Sequence, residues 1–230
     1  MKKLILTAVS LLSALSIMAQ DMSTNEKSGF YVGAKVFSLN ADTDSVGGQA
    51  QALGQELANA GVVTLNSSNI DDDGIGFGIV YGKNLTESSS IEVSLGYVEA
   101  MDLNVSFNLN GVAINSQQSL DVFPLLIQYK HKFMIHEKIG VFGGIGGGAI
   151  YGKYNVDASS AFISTSDSDS DIALALTGTL GLTTSLNENV DLSLSYRYLG
   201  MQEFEFDLSG ASINLELEPH VFEAGVVYNF

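Results

Sequence analysis

The sequence of 230 residues has no cysteine, no tryptophan, two prolines and only 10 basic side chains against 26 acidic ones. Each shortage excludes something. Without cysteine there is neither a disulfide framework nor a thiol for lipoprotein attachment. A net charge of −16 argues against nucleic acid as a partner, because a phosphate backbone needs a basic footprint. Charged residues make up 16% of the chain, where soluble proteins carry about 25%. After residue 19 no apolar run approaches the ~18 residues of a membrane-spanning helix. Apolar residues are nevertheless 46% of the chain, and the mean hydropathy is +0.21. Apolar content that is high but scattered suits strands facing lipid on one side only.

The N-terminal stretch MKKLILTAVSLLSALSIMAQ reads as a secretory signal. Lys2 and Lys3 form its positive region, Leu4 to Ile17 its apolar core, and Ile17-Met18-Ala19 a cleavage site before Gln20. Residues 1–19 are therefore assigned to the signal, 20–28 to a short periplasmic segment and 29–230 to one barrel domain.

Period-two alternation marks eight candidate strands in the mature chain. They cover 29–39, 74–82, Ile91 to Leu109, 120–133, 139–154, 171–185, Leu192 to Leu208, and a last one opening at Ser209-Gly210 and running to Phe230. Connections alternate between short turns and longer loops, the longest being roughly 40–73 and 155–170. This asymmetry predicts an all-β, eight-stranded antiparallel up-and-down transmembrane β-barrel in a bacterial outer membrane, with both termini on the periplasmic side. The end of the chain fits the same picture. Phe222, Ala224, Val226, Tyr228 and Phe230 alternate to the final residue. An unpaired strand edge cannot sit in lipid, so the last strand must pair with the first.

The opening GFYVGAKV, the strand FPLLIQYKHKF, the glycine-rich VFGGIGGGAIYG, SYRY at 195–198 and the closing VVYNF carry a resemblance. Residues 29–230 resemble the small outer-membrane β-barrels, the group of opacity-like proteins and OmpA-type transmembrane domains. The resemblance implies that Phe222, Val226, Tyr228 and Phe230 form the signal read by the outer-membrane assembly machinery. It implies a monomer surrounded by outer-membrane lipid and lipopolysaccharide. OmpA-type proteins often continue into a peptidoglycan-binding domain; here the chain stops at the barrel, so a direct tether to the cell wall is not expected.

Eight strands enclose a lumen just wide enough for side chains to fill. Alternation points Lys35, Glu92, Lys130, Arg197 and Glu223 inward, on neighbouring strands. They are expected to form an internal ion-pair network that plugs the lumen; the alternative is a gate lining a narrow pore. No catalytic set is found. His131, His136 and His220 fall at membrane boundaries, without a serine and carboxylate in nucleophile–base–orienter order. The acidic runs Asp71-Asp72-Asp73 and Asp167, Asp169, Asp171 offer oxygen ligands to a divalent cation such as Ca²⁺, but lack the EF-hand spacing. No cofactor is expected.

Strands three and seven exceed the ~9–11 residues of a bilayer crossing, so two hairpins should project beyond the membrane. On the returning strands the apolar phase slips by one, beside Pro124 and beside Pro219, which reads as two β-bulges. The apolar face above the bilayer needs a cover. Loop one supplies a candidate, a short helix within 46–63 that carries Leu53 and Leu57. Helix and hairpins either simply pack or enclose a groove for a small hydrophobic molecule, as in OmpW-like barrels. The sequence thus predicts a non-enzymatic barrel serving envelope structure or surface interaction through its loops, with passive transport or binding of small hydrophobic molecules as the alternative.

Overall fold

The computed structural model describes residues 29–40, 63–71, 73–109, 112–162, 164–208, 211–215, 217 and 219–230. The signal segment, the helix expected within loop one, Asn110-Gly111 and Ser209-Gly210 lie outside the described residues. The elements are β1 (Phe30–Asn40), β2 (Val63–Asp71), β3 (Asp73–Asn84), β4 (Ser89–Leu109), β5 (Val112–His136) and β6 (Ile139–Ser160). They continue with β7 (Ser164–Ser185), β8 (Val190–Met201), β9 (Phe204–Leu208), β10 (Ala211–Leu215) and β11 (His220–Asn229).

Nine strands form one sheet in the order β2-β4-β3-β1-β11-β8-β7-β6-β5, and a β4–β5 pairing closes it into a ring of eight from which only β2 is excluded. All pairings are antiparallel. Closure joins the two ends of the chain: Val32 faces Tyr228 across β1 and β11, and the Phe230 amide donates to the Phe30 carbonyl at 3.0 Å. With every backbone edge paired, the wall can stand in hydrocarbon.

Two aromatic belts bound the apolar outer face. On one side the rings of Phe77, Tyr97, Phe123 and Tyr151 run from strand to strand with centroids 5.8, 5.0 and 5.9 Å apart. On the other, Phe30 stacks on Tyr81 at 5.8 Å and Tyr228 meets Phe230 edge-on at 5.2 Å. Such girdles mark the two water–lipid boundaries. The short turns lie beyond the second belt, which places that end in the periplasm.

Beyond the outer belt β4, β5, β6 and β7 continue paired as far as Leu109↔Val112 and Ser159↔Ser164, and β2 extends this sheet along the edge of β4. Here the outer face meets water and turns polar, for example at Asn115, Gln117, Asn155 and Asp157. The inner face turns apolar, with Leu120, Val122, Ile150 and Tyr154 buried. Apolar side chains therefore point outward within the bilayer and inward above it.

This reversal corrects the reading of both prolines. Along β5 the even-numbered residues face the interior on both sides of Pro124, and Pro124 pairs with Ile150 without a register shift. The apolar phase changes because the surroundings change, not because the strand slips. The bulge lies across the ladder in β4, between Glu99 and Met101. There an unbroken run of odd-numbered apolar residues would carry Met101 and Leu103 outward; the extra residue Ala100 turns them in, and all three are buried. Pro219 occupies the break between β10 and β11 rather than a bulge. On the partnering side β8 stops at Met201 and resumes as β9, so Tyr196 and Tyr198 face out while Phe204 and Phe206 face in.

The β9–β10 hairpin forms its own two-stranded sheet; it continues the line of β8 beside β7, with Gln202 N–H donating to the Leu174 carbonyl at 3.0 Å, and its inner face caps the apolar core. Phe204, Phe206, Leu215 and Leu217 join one core with Leu120, Ile150, Tyr154 and Ala173. Tyr154 stacks on Phe206 at 5.3 Å. Among the described residues the cover of the apolar upper interior is therefore this hairpin. Burying each phenylalanine contributes roughly 1.5–3 kcal/mol, enough to hold a short hairpin that would be marginal alone.

Candidate functional site: the barrel interior

The interior has two storeys. The periplasmic storey is polar and the outer storey apolar, and the ion network lies in the first. The structure brings all five inward-pointing charges together. Lys130 Nζ lies 2.7 Å from Glu92 Oε2, and Glu92 Oε1 lies 2.9 Å from Lys35 Nζ. Lys35 reaches Glu223 Oε2 at 3.5 Å, and Arg197 Nη2 reaches Glu223 Oε1 at 3.2 Å. The result is one chain, Lys130–Glu92–Lys35–Glu223–Arg197, carried by β5, β4, β1, β11 and β8. Its side chains are 3–13% exposed. Ions taken out of water this far are tolerated only when paired and hydrogen bonded. Each carboxylate here is shared by two cations.

Neutral groups, not singled out by the sequence pattern, complete the layer. Tyr31 donates to Glu92 Oε2 at 3.3 Å, Ser195 donates to Glu223 Oε2 at 3.1 Å, and Gln128 donates to Thr179 at 2.6 Å. Lys130 also stands over the Phe142 ring at 5.2 Å. The signal for these partners was present: they occupy inward alternation positions beside the charges. Glycine makes the room. At Gly144 on β6 a Cβ would stand 2.6 Å from Gln128 Nε2 and 3.1 Å from Lys130 Cγ, so a larger residue would displace the network. Of the four buried polar side-chain atoms without a protein partner among the described residues, three lie in this layer: Gln128 Oε1, Thr177 Oγ1 and Arg197 Nε.

Below the network a vestibule of about 200 Å³, lined by Ser88, Ser90, Lys132 and Asp191 among others, opens to the periplasm. Above it lies a small cavity of about 40 Å³ among Leu126, Ile150, Leu199 and Val221, touching Lys35, Arg197 and Glu223 at its base. Farther out the Tyr154 hydroxyl bonds Gln118, and burial pushes that phenol up to about 12.

The remaining candidates are placed as follows. Phe222, Val226, Tyr228 and Phe230 alternate along the outer face of β11 and its end. Asp169 accepts the backbone N–H of Asp207 at 2.6 Å and Asp171 that of Glu205 at 2.9 Å, so two carboxylates of the acidic run tie the hairpin to β7. Among the described residues no group of three or more histidine, cysteine or carboxylate side chains is placed to hold a metal ion. Tyr196 shares a 2.6 Å hydrogen bond with His220 on the outer belt. Ser89 Oγ stands 3.0 Å from Nδ1 of His131, a serine that the alternation pattern does not place beside it. The two are far apart in sequence and meet through the β4–β5 register. Among the described residues no carboxylate hydrogen bonds to His131, so the pair lacks the orienting group of a catalytic triad.

The sequence matches the family described as outer membrane protein beta-barrel domain over residues 7–230. The chain belongs to that family. Its members lie in the bacterial outer membrane, and this protein is accordingly a surface-exposed outer-membrane barrel. Solved structures similar to it include Neisserial surface protein A, at 14% identity with 90% of this chain and 100% of that one covered and a TM-score of 0.47. Ail, the attachment invasion locus protein of Yersinia pestis, is similar at 16% identity, with 88% and 99% covered and a TM-score of 0.43. The outer membrane protease OmpT of Escherichia coli is similar at 9% identity, with 90% and 99% covered and a TM-score of 0.37. No curated protein matches the sequence.

Proposed function

We propose that this family member is a non-enzymatic, non-conducting barrel that serves the outer membrane as a structural element and presents its acidic and Ser/Asn-rich outer extension to the surroundings. One observation carries the reading: the lumen is filled twice over. A continuous ion-pair chain spans the periplasmic storey, and the capped apolar core fills the outer one. A path through both would have to break buried salt bridges and displace the hairpin. Its immediate partners are lipid, lipopolysaccharide and the assembly machinery that reads the C-terminal strand.

The test is to refold the mature chain in detergent, verify the barrel by heat-dependent gel migration, and record conductance in a planar bilayer. A folded, silent barrel is expected. Discrete openings altered by Arg197→Gln or Glu223→Gln would replace the plug with a pore. The non-enzymatic reading is checked separately. Substituting His131 or His220 in cells is expected to leave every lipid species unchanged, and a lipid species lost with either would overturn it.

A second reading is favoured by the apolar lining of the outer storey: transport or binding of small hydrophobic molecules beneath the β9–β10 hairpin. The cavity of about 40 Å³ is far below the ~300 Å³ of an ordinary ligand pocket, so this reading requires the hairpin to lift.

A further inference from the structure

The ion network is not electrically balanced. Lys35, Lys130 and Arg197 supply three cations, Glu92 and Glu223 two anions. In the chain Lys130–Glu92–Lys35–Glu223–Arg197 both ends are cationic. The inward-facing neighbours Tyr31, Gln128, Thr177, Thr179 and Ser195 are neutral. Among the described residues no third carboxylate joins these salt bridges, so one positive charge is left inside a barrel wall surrounded by lipid. A buried charge without a counter-charge is costly. At the Lys130 end the excess is eased by the periplasmic vestibule, which Lys130 lines. The Arg197 end faces the other way, toward the apolar storey.

Two independent observations meet at that end. Arg197 is 5% exposed, and its Nε–H has no partner while its Nη2 is spent on Glu223. Beside it lies the cavity of about 40 Å³, whose charged lining is Arg197, Lys35 and Glu223 and whose remaining walls are largely apolar. Room for one water requires ~10–15 Å³ on this measure, so the space holds a monatomic anion with margin. A water would find its two to four polar partners among Arg197, Lys35, Glu223 and Ser94 but would leave the excess positive charge unmatched. An anion needs donors and a positive field, and Arg197 and Lys35 supply both.

We propose that this cavity binds a chloride-sized anion against Arg197 and Lys35, matching three cations with three anions and completing the plug. The ion is a structural ligand of the folded barrel, and the proposal holds whether or not the barrel conducts.

The experiment is thermal unfolding of the full mature barrel in detergent, at constant ionic strength, in chloride, bromide, sulfate or gluconate. A ligand that binds only the folded state raises the midpoint with its concentration. The midpoint is expected to rise by a few degrees with chloride and bromide over sulfate and gluconate. That order opposes the general salt effect, in which sulfate stabilises most. Val122→Ile, which fills the cavity from its apolar wall without touching a charge, is expected to abolish the halide effect while the barrel still folds. Arg197→Gln should abolish it as well, because it removes both the donor and the excess charge. Bromide-soaked crystals are expected to show an anomalous peak beside Arg197. Equal midpoints in all four anions, or a halide effect undiminished in Val122→Ile, would overturn the site.

Discussion

Phe204 of β9 rests on Gly152 of β6, where an added Cβ would stand 2.9 Å from two of its ring carbons. The contact joins the cap to the wall at the one inward position of β6 beyond Ile150 that has no side chain. Gly152→Val is therefore expected to lift the hairpin by overpacking, at a cost of about 1–3 kcal/mol, while the transmembrane ring stays closed. Limited proteolysis should then cut within 202–219 in a sample that still migrates as a folded barrel. Unchanged protection would show that the cap does not depend on this contact.

Asp169 and Asp171 hold the same hairpin from β7 by accepting backbone N–H groups. Replacing each with alanine should weaken the cap by about 1 kcal/mol, corresponding to roughly fivefold faster amide exchange. Exchange at Glu205 and Asp207 measured by mass spectrometry checks this. The membrane strands, which do not share those bonds, serve as the unaffected reference.

Tyr154 makes the cap sensitive to alkali. Its folded-state value is raised to about 12 by burial, against ~10 for an exposed tyrosine. The folded state therefore binds this proton more tightly than the unfolded state. The associated stability is fully present below pH ~10 and is lost as pH rises toward ~12. Cleavage of the hairpin should increase over that window in the native protein. In Tyr154→Phe, which has no proton to lose there, the increase should be smaller.

Glu92 neutralises Lys35 and Lys130 at once. Glu92→Gln leaves two buried ammonium groups beside a neutral amide, an expected loss of about 3–5 kcal/mol. Adding Lys130→Met removes one of the stranded charges and should recover part of that loss. Urea unfolding of the single and double variants measures the coupling; additive effects would mean that the two residues act independently.

Deleting Ala100 removes the β4 bulge. Glu99, which faces out, would then join Met101 directly, and plain alternation keeps Met101 and Leu103 inward and Asp102 outward. The outer extension of β4 should therefore stay paired with β5 and protected from protease, losing only the buried Ala100 methyl and the local bend. New cleavage above Tyr97 would show that the extension depends on the bend itself.

The sequence by itself determined the ring. Within the bilayer one face meets lipid and the other a packed lumen, so period-two alternation reports facing directly. Eight strands, their order and the five charges of the interior follow from it. Above the bilayer the same rule inverts, because water replaces lipid outside and the apolar side must turn inward. A one-dimensional pattern does not carry that change of surroundings. The broken alternation at Pro124 therefore suggested a bulge where the strand runs straight. The unbroken alternation through Met101 concealed the real one.

Tertiary structure decided what depended on contacts between distant segments. It set the inner face of β9 against the upper core, spent Asp169 and Asp171 on backbone amides, and set Ser89 beside His131. It also chose which carboxylate each cation shares. Alternation places a side chain on a face; only the closed register brings it within reach of its partner.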